Sequence, residues 1–346
     1  MQDVARLAGV STATVSAVLN GNKRVSPRRA QKVREAIEAL DYHADQNARS
    51  LRTGQTHVIG VVIPDVAHAF FAEVIAGAEE VASKIGYSFF LCNANEDPQL
   101  EQRHLDMLFS HRVDAVLIAS CDSSIAYERP IMKRFPIVFF DRVPSAFRGS
   151  SVTTDNVAGG HMATRHLIER GHKEIAIIAG SLNRSTHSHR FEGFRKAMQE
   201  SHVAIRDEYC GTEGLDVEAA YNFTFSLLSG PEPPTAIFCT SNKLLRGCVR
   251  ALQRLHLRFP EEVSIIGFDD FAWNETFHPA ITTVAQPTRQ MGREAMDLLL
   301  EKISARRAGR EMAERNIVLQ PELCVRESTA SPRTVLRDVL PIGSGL

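Results

Sequence analysis

Three aspartates, Asp65, Asp141 and Asp269, each follow directly after a short apolar run of the sequence. Such runs are typical of buried strands in a parallel sheet, and the ligands of these sheets bind at the carboxyl ends of the strands. A carboxylate there accepts hydrogen bonds from paired hydroxyl groups, and a guanidinium such as Arg190 donates to ring and hydroxyl oxygens. These four side chains predict a cleft that binds a small molecule rich in hydroxyl groups.

Each aspartate taken alone is equally well explained as the N-cap of the helix that follows its strand. Arg190, together with Phe70 and Phe71, favours a ligand site for the whole group, because the two rings offer apolar faces on which a sugar ring can stack. Asp155 is different, since a predicted helix begins directly after it, and we interpret it as the cap of that helix.

The elements that would position these side chains are alternating short strands and amphipathic helices. Apolar runs predict strands at 58–63, 88–92, 115–119, 137–140, 175–179, 236–239 and 263–267. Helical spacing predicts helices at 71–85, 99–110 and 156–170, another between 119 and 137, and further helices between the later strands. Two such series, each of about 100–130 residues, indicate two doubly wound parallel-sheet lobes with a cleft between them.

The first 56 residues have a different character. They carry nine Lys and Arg against five Asp and Glu, a balance of +4, whereas the rest of the chain has a balance of −5. Helical spacing at 4–8, an N-cap at Ser11, and Ser26 followed by Pro27 predict three short helices. Two short helices across a glycine-containing turn, closed by a third, form a helix-turn-helix unit, and the basic balance indicates a polyanion partner.

A plain three-helix bundle is the alternative for this segment. The outer face of its second helix consists of small or hydroxylic residues without an acid: Thr12, Ala13, Ser16 and Ala17. Such a face can approach a major groove closely, because hydroxyl groups donate to base edges and methyl groups contact thymine. This face favours DNA binding over a purely structural bundle.

Several short sequence motifs are distributed along the chain. In the basic head they are D-V-A-R-L-A-G-V-S at 3–11, T-V-S at 14–16, V-L-N at 18–20 and V-S at 25–26. In the body they are I-G-V-V-I-P-D at 59–65, F-F-A-E at 70–73, D-N at 155–156, G-H-K-E-I at 171–175, Arg190 with G-F at 193–194, I-G-F-D-D at 266–270 and R-E-S-T at 326–329. Together they closely resemble the lactose-repressor (LacI/GalR) family of bacterial transcription regulators over nearly the whole chain.

The resemblance implies that the second helix reads the major groove and that its first, second and sixth residues choose the bases. These positions hold Thr12, Ala13 and Ala17. Relatives usually have Arg at the sixth position, so Ala17 removes an expected base contact. The DNA-binding residues predicted in the head are Thr12, Ala13, Thr14, Ser16, Ala17 and Asn20.

The polar segment 43–56 is most simply interpreted as a flexible linker. However, A-R-S-L-R-T-G at 48–54 resembles the hinge helix of the family, although A-D-Q-N at 44–47 departs from the usual P-N-A-L. In relatives this helix enters the minor groove and wedges its leucine into a central base step. The resemblance assigns the wedge to Leu51 and phosphate contacts to Arg49 and Arg52.

For the body, the resemblance implies the two-lobed fold of periplasmic sugar-binding proteins. We predict a headpiece at 1–42, a hinge at 43–56 and a core at 57–346. The first lobe of the core would take about 57–155 and 287–315, the second about 156–286 and 316–330, and the tail 331–346.

The resemblance also assigns effector-binding residues to the cleft: Asp65, Phe70, Phe71, Asp141, Arg184, Thr186, Arg190, Asp269 and Gln286. Ser241 joins them, although relatives often have Asn-Asp where this chain has Ser241-Asn242. The expected effector is a sugar, a sugar acid or a nucleobase. No cofactor is expected.

The composition, 44% hydrophobic and 23% charged over 346 residues, is that of an ordinary soluble globular chain. No apolar run approaches the ~18 residues of a membrane span. An acid at position 3 argues against a signal peptide, and six widely spaced cysteines predict free thiols in a reducing cytoplasm.

Two other classes of protein share parts of this pattern. A Rossmann-like enzyme would need a motif such as G-x-S-x-G, or G-x-G-x-x-G after a strand, and the sequence has neither. The pairs His161/His166 and His187/His189 lack the spacing or the acidic companions of a metal site. A sugar-binding module for transport is opposed by the basic head and by the missing signal peptide. We therefore predict a cytoplasmic homodimer, not an enzyme, that represses transcription from a pseudo-palindromic operator under control of an effector.

Overall fold

The structure, a computed structural model, describes residues 1–19, 25–42, 54–121, 135–214 and 216–332. The chain divides into two compact units, Met1–Thr56 and His57–Leu346, and the second is called the core below. None of the helices in the described ranges combines the length and the apolar character needed to cross a bilayer. All six cysteines are free thiols.

The described part of the headpiece contains three helices, α1 (Gln2–Ala8), α2 (Thr12–Leu19) and α3 (Pro27–Ala39), as predicted. Gly9 ends α1 in the left-handed conformation (φ 62°), and the Ser11 hydroxyl accepts a hydrogen bond from the Thr14 N–H at the start of α2 (3.2 Å). The helices share a small hydrophobic core of Val4, Ala5, Ala8, Val15, Val33 and Ala36. Leu40, which follows the end of α3 at Ala39, is 44% exposed.

The core alternates strands with helices. Its strands are β1 (Val58–Ile63), β2 (Ser88–Asn93), β3 (Ala115–Ile118), β4 (Ile137–Phe140), β5 (Ser151–Thr154), β6 (Ile175–Ile178), β7 (Cys210–Gly211), β8 (Ala236–Cys239), β9 (Ser264–Phe268), β10 (Thr282–Ala285), β11 (Asn316–Leu319) and β12 (Glu322–Cys324). Its helices are α4 (Ala69–Ala82), α5 (Pro98–Ser110), α6 (Asn156–Glu169), α7 (Ser185–Glu200), α8 (Val217–Leu228), α9 (Asn242–Leu255) and α10 (Thr288–Arg307). Short 3-10 turns lie at Ser83–Ile85, Asp207–Tyr209 and Ala272–Glu275.

The strands form two six-stranded sheets, in the orders β11-β5-β4-β3-β1-β2 and β12-β10-β9-β8-β6-β7. The first sheet is parallel throughout, and in the second only β12 runs antiparallel, against β10. Two hydrophobic clusters accompany each sheet, which explains why its central strands (β1, β3 and β4 in the first sheet, β6, β8 and β9 in the second) are largely apolar runs. The predicted pair of doubly wound lobes is confirmed. The first lobe contains the first sheet with α4, α5 and α10, and the second lobe contains the second sheet with α6 to α9.

Helices α4 and α10 cross closely on one face of the first sheet. The close approach requires glycine, because a Cβ at Gly292 would lie 1.9 Å from the carbonyl oxygen of Val74 and one at Gly77 would lie 2.2 Å from that of Arg289. Helix α4 carries Phe70 and Phe71, so this crossing helps to fix both rings.

The fold differs from the prediction at particular elements. Strands β5 and β10 were not predicted, because they are rich in Ser and Thr and carry no apolar run. Residues 316–319, which we expected in the second lobe, form β11 and pair with β5 in the first sheet. The chain therefore returns to the second lobe only after Leu319. The helix predicted between 119 and 137 falls largely outside the described residues.

Candidate functional site

A cleft that is open to solvent lies between the two lobes at the carboxyl ends of their strands. It is lined by these residues of the predicted effector site: Phe70, Phe71, Asp141, Arg184, Thr186, Arg190, Ser241, Asp269 and Gln286. Residues that the sequence did not point to also line it: His68, Glu96, Arg142, His187 and Lys243. The cleft has the mixed apolar and polar lining of a small-molecule site.

Asp141 and Asp269 stand directly after β4 and β9, and both are buried. Their backbones are in the left-handed region, with φ of 57° and 74°. Asp tolerates this region better than most residues, and such conformations are concentrated at ligand sites. Burial raises the pKa of Asp141, and the positive charges of Arg142 and Arg190 partly offset this increase. The Oδ1 of Asp269 accepts a hydrogen bond from the Gln286 amide (2.6 Å).

Arg190, on α7, is buried between the strand ends of the second lobe. Its Nε donates to Oδ1 of Asn156 (2.7 Å), and its Nη1 donates to the carbonyl oxygen of Thr240 (2.6 Å). Its guanidinium lies 3.6 Å from the centre of the Phe268 ring. Burial lowers the pKa of Arg190, while Asp269 and Asp141 raise it. These contacts fix the guanidinium and leave Nη2 available to donate to a ligand in the cleft.

Asp65 does not line the cleft. Its Oδ2 accepts a hydrogen bond from Nζ of Lys243 on α9 (3.0 Å), and its Oδ1 accepts one from the Ala67 N–H (3.0 Å). Burial raises the pKa of Asp65, but Lys243 and the Ala67 hydrogen bond outweigh it and leave the pKa below its usual range. The structure therefore places Asp65 in an ion pair between the two lobes, beside the residues that line the cleft.

Several side chains in the lining hold buried polar atoms without a hydrogen-bond partner among the described residues. They are Nδ1 of His68, Nε of Arg142, Nδ1 of His187 and Oε1 of Gln286. Burial lowers the pKa of His68 and holds that of His187 well below its usual range. Buried polar atoms are normally satisfied, so a cluster of unsatisfied ones indicates a site for a polar ligand.

Some of the missed residues had usable signals in the sequence. Arg142 directly follows Asp141, and Lys243 lies two residues after Ser241. The pair His187/His189 was considered only as a metal site, but His187 is buried in the lining of the cleft. Glu96 was missed because it stands three residues beyond β2. No group of three His, Cys, Asp or Glu within the described ranges is placed to hold a metal ion.

The face of α2 that the sequence predicts to be its outer face is at least partly exposed to solvent. Thr12 and Ala13 are exposed, Thr14, Ser16 and Ala17 are half-buried, and Val15 is turned into the small core. Asn20, Arg49, Leu51 and Arg52 lie outside the described residues. The exposed part of α2 therefore carries no charged side chain, and its contacts with DNA would be made by small and hydroxylic groups.

Near the cleft, Glu101 in the first turn of α5 is fully buried. Its Oε2 accepts a hydrogen bond from the Cys121 N–H (2.6 Å), while Oε1 has no partner in the described part of the chain. Burial raises the pKa of Glu101 to about 7. Because the folded protein holds this proton more tightly than the unfolded chain does, the group stabilises the fold fully below about pH 4.3 and loses that contribution as the pH rises through 7.

We expect Glu101→Gln to remove this pH dependence. Relative to the wild type, the unfolding free energy of the variant should rise by about 3 kcal/mol between pH 4.3 and pH 8. Urea denaturation at several pH values measures the difference, with Glu79→Gln on the exposed face of α4 as the control. Parallel curves for Glu101→Gln and the wild type would show that Glu101 ionises normally.

Comparison with known proteins follows the same division of the chain. The model of the lacI family of bacterial regulatory proteins matches residues 1–45, and that of periplasmic binding proteins and the sugar-binding domain of the LacI family matches residues 56–321. The chain belongs to the LacI family of bacterial regulatory proteins. It is a regulatory protein, as its sequence predicted, and the enzyme alternative is set aside.

Individual relatives cover nearly the whole chain. The transcriptional repressor PurR of Haemophilus influenzae is 38% identical over 335 residues, which are 96% of this chain and 98% of PurR. Among solved structures, a LacI-family regulator from Enterococcus faecium with bound ribose has a TM-score of 0.71 and 27% identity, covering 80% of this chain and 100% of that one. The lac repressor dimer bound to operator and anti-inducer has a TM-score of 0.84 and 24% identity over 95% of this chain and 98% of that one, which shows the shared fold.

Proposed function

We propose that this LacI-family protein is a transcriptional repressor whose affinity for operator DNA is controlled by a small effector bound in the cleft of the core. The observation that carries the proposal is the cleft itself, where two lobes bring buried carboxylates, Arg190 and unsatisfied polar atoms together at their strand ends. The helix-turn-helix headpiece of the same chain supplies the DNA-binding function. Its PurR relative is a transcriptional repressor, which supports this direction of regulation.

The effector would be held by Asp141 and Asp269 as acceptors and by Arg190 as donor, with Phe70 and Phe71 as apolar faces. Thr186, Ser241 and Gln286 would add hydrogen bonds. Arg184 would contact the effector from the second lobe. The E. faecium relative holds ribose, which supports a sugar as the class of ligand. The two lobes would change their relative position on binding, because the cleft takes its side chains from both.

The headpiece would bind as part of a homodimer, since two copies related by a twofold axis match a pseudo-palindromic operator. Thr12, Ala13, Thr14, Ser16, Ala17 and Asn20 would face the major groove, while Arg49, Leu51 and Arg52 of the hinge would act in the minor groove. We propose the division into a headpiece at 1–42, a hinge at 43–56 and a core from 57, acting in the cytoplasm.

A binding-site selection tests the proposal. The full-length protein, incubated with random duplexes, should enrich a pseudo-palindrome whose half-sites match the spacing of two major grooves on one face of the duplex. A library of sugars, sugar acids and nucleobases, screened by thermal unfolding, should then identify an effector. Failure to enrich any sequence would contradict the DNA-binding role.

We expect Ala17→Arg to change base preference at one position of each half-site. An arginine there can donate two hydrogen bonds to guanine, worth about 1–3 kcal/mol of discrimination against the other bases. The selected sequences of variant and wild type should therefore differ at that position and agree elsewhere. Arg28→Ala on α3, outside the predicted reading helix, provides the control, and identical selected sequences for Ala17→Arg would remove position 17 from the reading surface.

A further inference from the structure

Glu96 links the two lobes across the cleft. It follows β2 on a turn in which Asn95 and Glu96 both have left-handed backbones, with φ of 51° and 58°. Its Oε2 accepts hydrogen bonds from Nη1 of Arg184 in the second lobe (2.5 Å) and from Nη1 of Arg142 in the first lobe (3.1 Å). One carboxylate therefore pairs with two guanidiniums that line the cleft, and Oδ2 of Asp141 lies 3.6 Å from Nε of Arg142.

The charges around the cleft balance. The lining carries four cations, Arg142, Arg184, Arg190 and Lys243, and three carboxylates, Glu96, Asp141 and Asp269. A fourth carboxylate, Asp65, pairs with Lys243 (3.0 Å). The formal positive and negative charges are thus equal in number, so the cleft carries no excess of positive charge to attract a ligand anion.

Glu96 carries its charge at neutral pH. Burial raises its pKa, but the charges of Arg142 and Arg184 outweigh burial and hold the pKa below its usual range. Both arginines have side chains only 11–13% exposed, and the Glu96 side chain is 29% exposed. In such a partly desolvated site, charges interact more strongly than on the surface.

Building on the proposed function, we propose that Glu96 determines the charge of the effector, so that the cleft selects an uncharged polyhydroxylated molecule and rejects sugar acids and phosphorylated sugars. An anionic group would meet Arg142 and Arg184 already paired with Glu96 and would be repelled by its carboxylate, which is specificity by repulsion as well as attraction. A neutral sugar needs only donors and acceptors, which Asp141, Asp269 and Arg190 supply.

The test compares the wild type with Glu96→Gln, which keeps the shape of the side chain and releases both guanidiniums. Inorganic phosphate is the first probe, measured as stabilisation against heat at constant ionic strength. Phosphate stabilises all proteins to some extent, so Glu79→Gln on the exposed face of α4 serves as a control with the same change of charge. We expect Glu96→Gln to bind phosphate at least about tenfold more tightly than the wild type and Glu79→Gln, because two cations become free.

Matched pairs of ligands give the second readout: glucose with gluconate and glucose 6-phosphate, and ribose with ribose 5-phosphate. The wild type should prefer the neutral member of any pair that it binds, and Glu96→Gln should lose that preference. Equal phosphate affinity in Glu96→Gln and the wild type would overturn the assignment. If Glu96→Gln does not fold, the wild type provides the test. Saturable phosphate binding to the wild type that is abolished in Arg184→Gln would also overturn the assignment. These readouts do not involve DNA, so a failure of operator binding would count against the proposed function and not against Glu96.

Discussion

Asp269→Asn should weaken effector binding by about 10- to 100-fold, the loss expected for a hydrogen bond to a charged group in a buried site. Asparagine tolerates the left-handed backbone at this position (φ 74°) and can still accept the hydrogen bond from Gln286. The substitution therefore removes the charge with little change of shape. Operator binding without effector should remain at its wild-type value, because Asp269 belongs to the core.

Trp273, the only tryptophan of the chain, offers the measurement. It packs against hydrophobic clusters of both lobes, four residues after Asp269, so its fluorescence should respond when effector binding shifts the lobes. Calorimetry gives an independent affinity. Asp297→Asn on the exposed face of α10 is the matched control. Effector affinity in Asp269→Asn equal to that of the control would place the effector elsewhere.

Leu51→Ala should weaken operator binding by about 10- to 100-fold and reduce the bending of the DNA, because an inserted leucine holds open a base step at a cost of a few kcal/mol that the added contacts offset. Leu51 lies outside the described residues, so this role rests on the sequence motif at 48–54 and on the family to which the chain belongs. A passive linker would instead give nearly wild-type affinity and bending.

A circular-permutation assay on one operator measures the bend for Leu51→Ala, with Ser50→Ala as the neighbouring control. Effector affinity of the free protein should be unchanged in both variants, since the hinge lies outside the cleft. A wild-type bend in Leu51→Ala would end the hinge hypothesis while leaving the roles of the headpiece and the cleft intact.

The sequence predicted the strands that are continuous apolar runs and missed the strands that are polar or very short. Strands such as β4 and β8 are buried on both faces, so each is a continuous apolar run with a clear signal. Strands β7, β11 and β12 lie at or near sheet edges, are short and partly exposed, and need few apolar residues. Their pairing depends on contacts distant in sequence, which explains why β11 was assigned to the wrong lobe.

The site residues also differ in whether the local sequence alone predicts their position. Asp141 and Asp269 were found because a residue directly after a buried strand must lie at the ligand-binding edge of the sheet. Glu96 lies at that edge only because two left-handed residues bend the chain after β2, and no local pattern announces the bend. Asp65 follows the same rule as Asp141 but pairs with Lys243, a partner 178 residues away.

The central claim, that the cleft controls the headpiece, is tested most directly by operator affinity measured with and without effector in the wild type and in Asp269→Asn. Fluorescence anisotropy of a labelled operator at fixed salt gives both dissociation constants. In the wild type, saturating effector should change the operator dissociation constant by about 5- to 150-fold, the range of a coupling free energy of about 1–3 kcal/mol. Asp269→Asn, at the same effector concentration, should show little or no change. An operator affinity that no cleft-binding ligand alters in the wild type, or an undiminished response in Asp269→Asn, would contradict the claim.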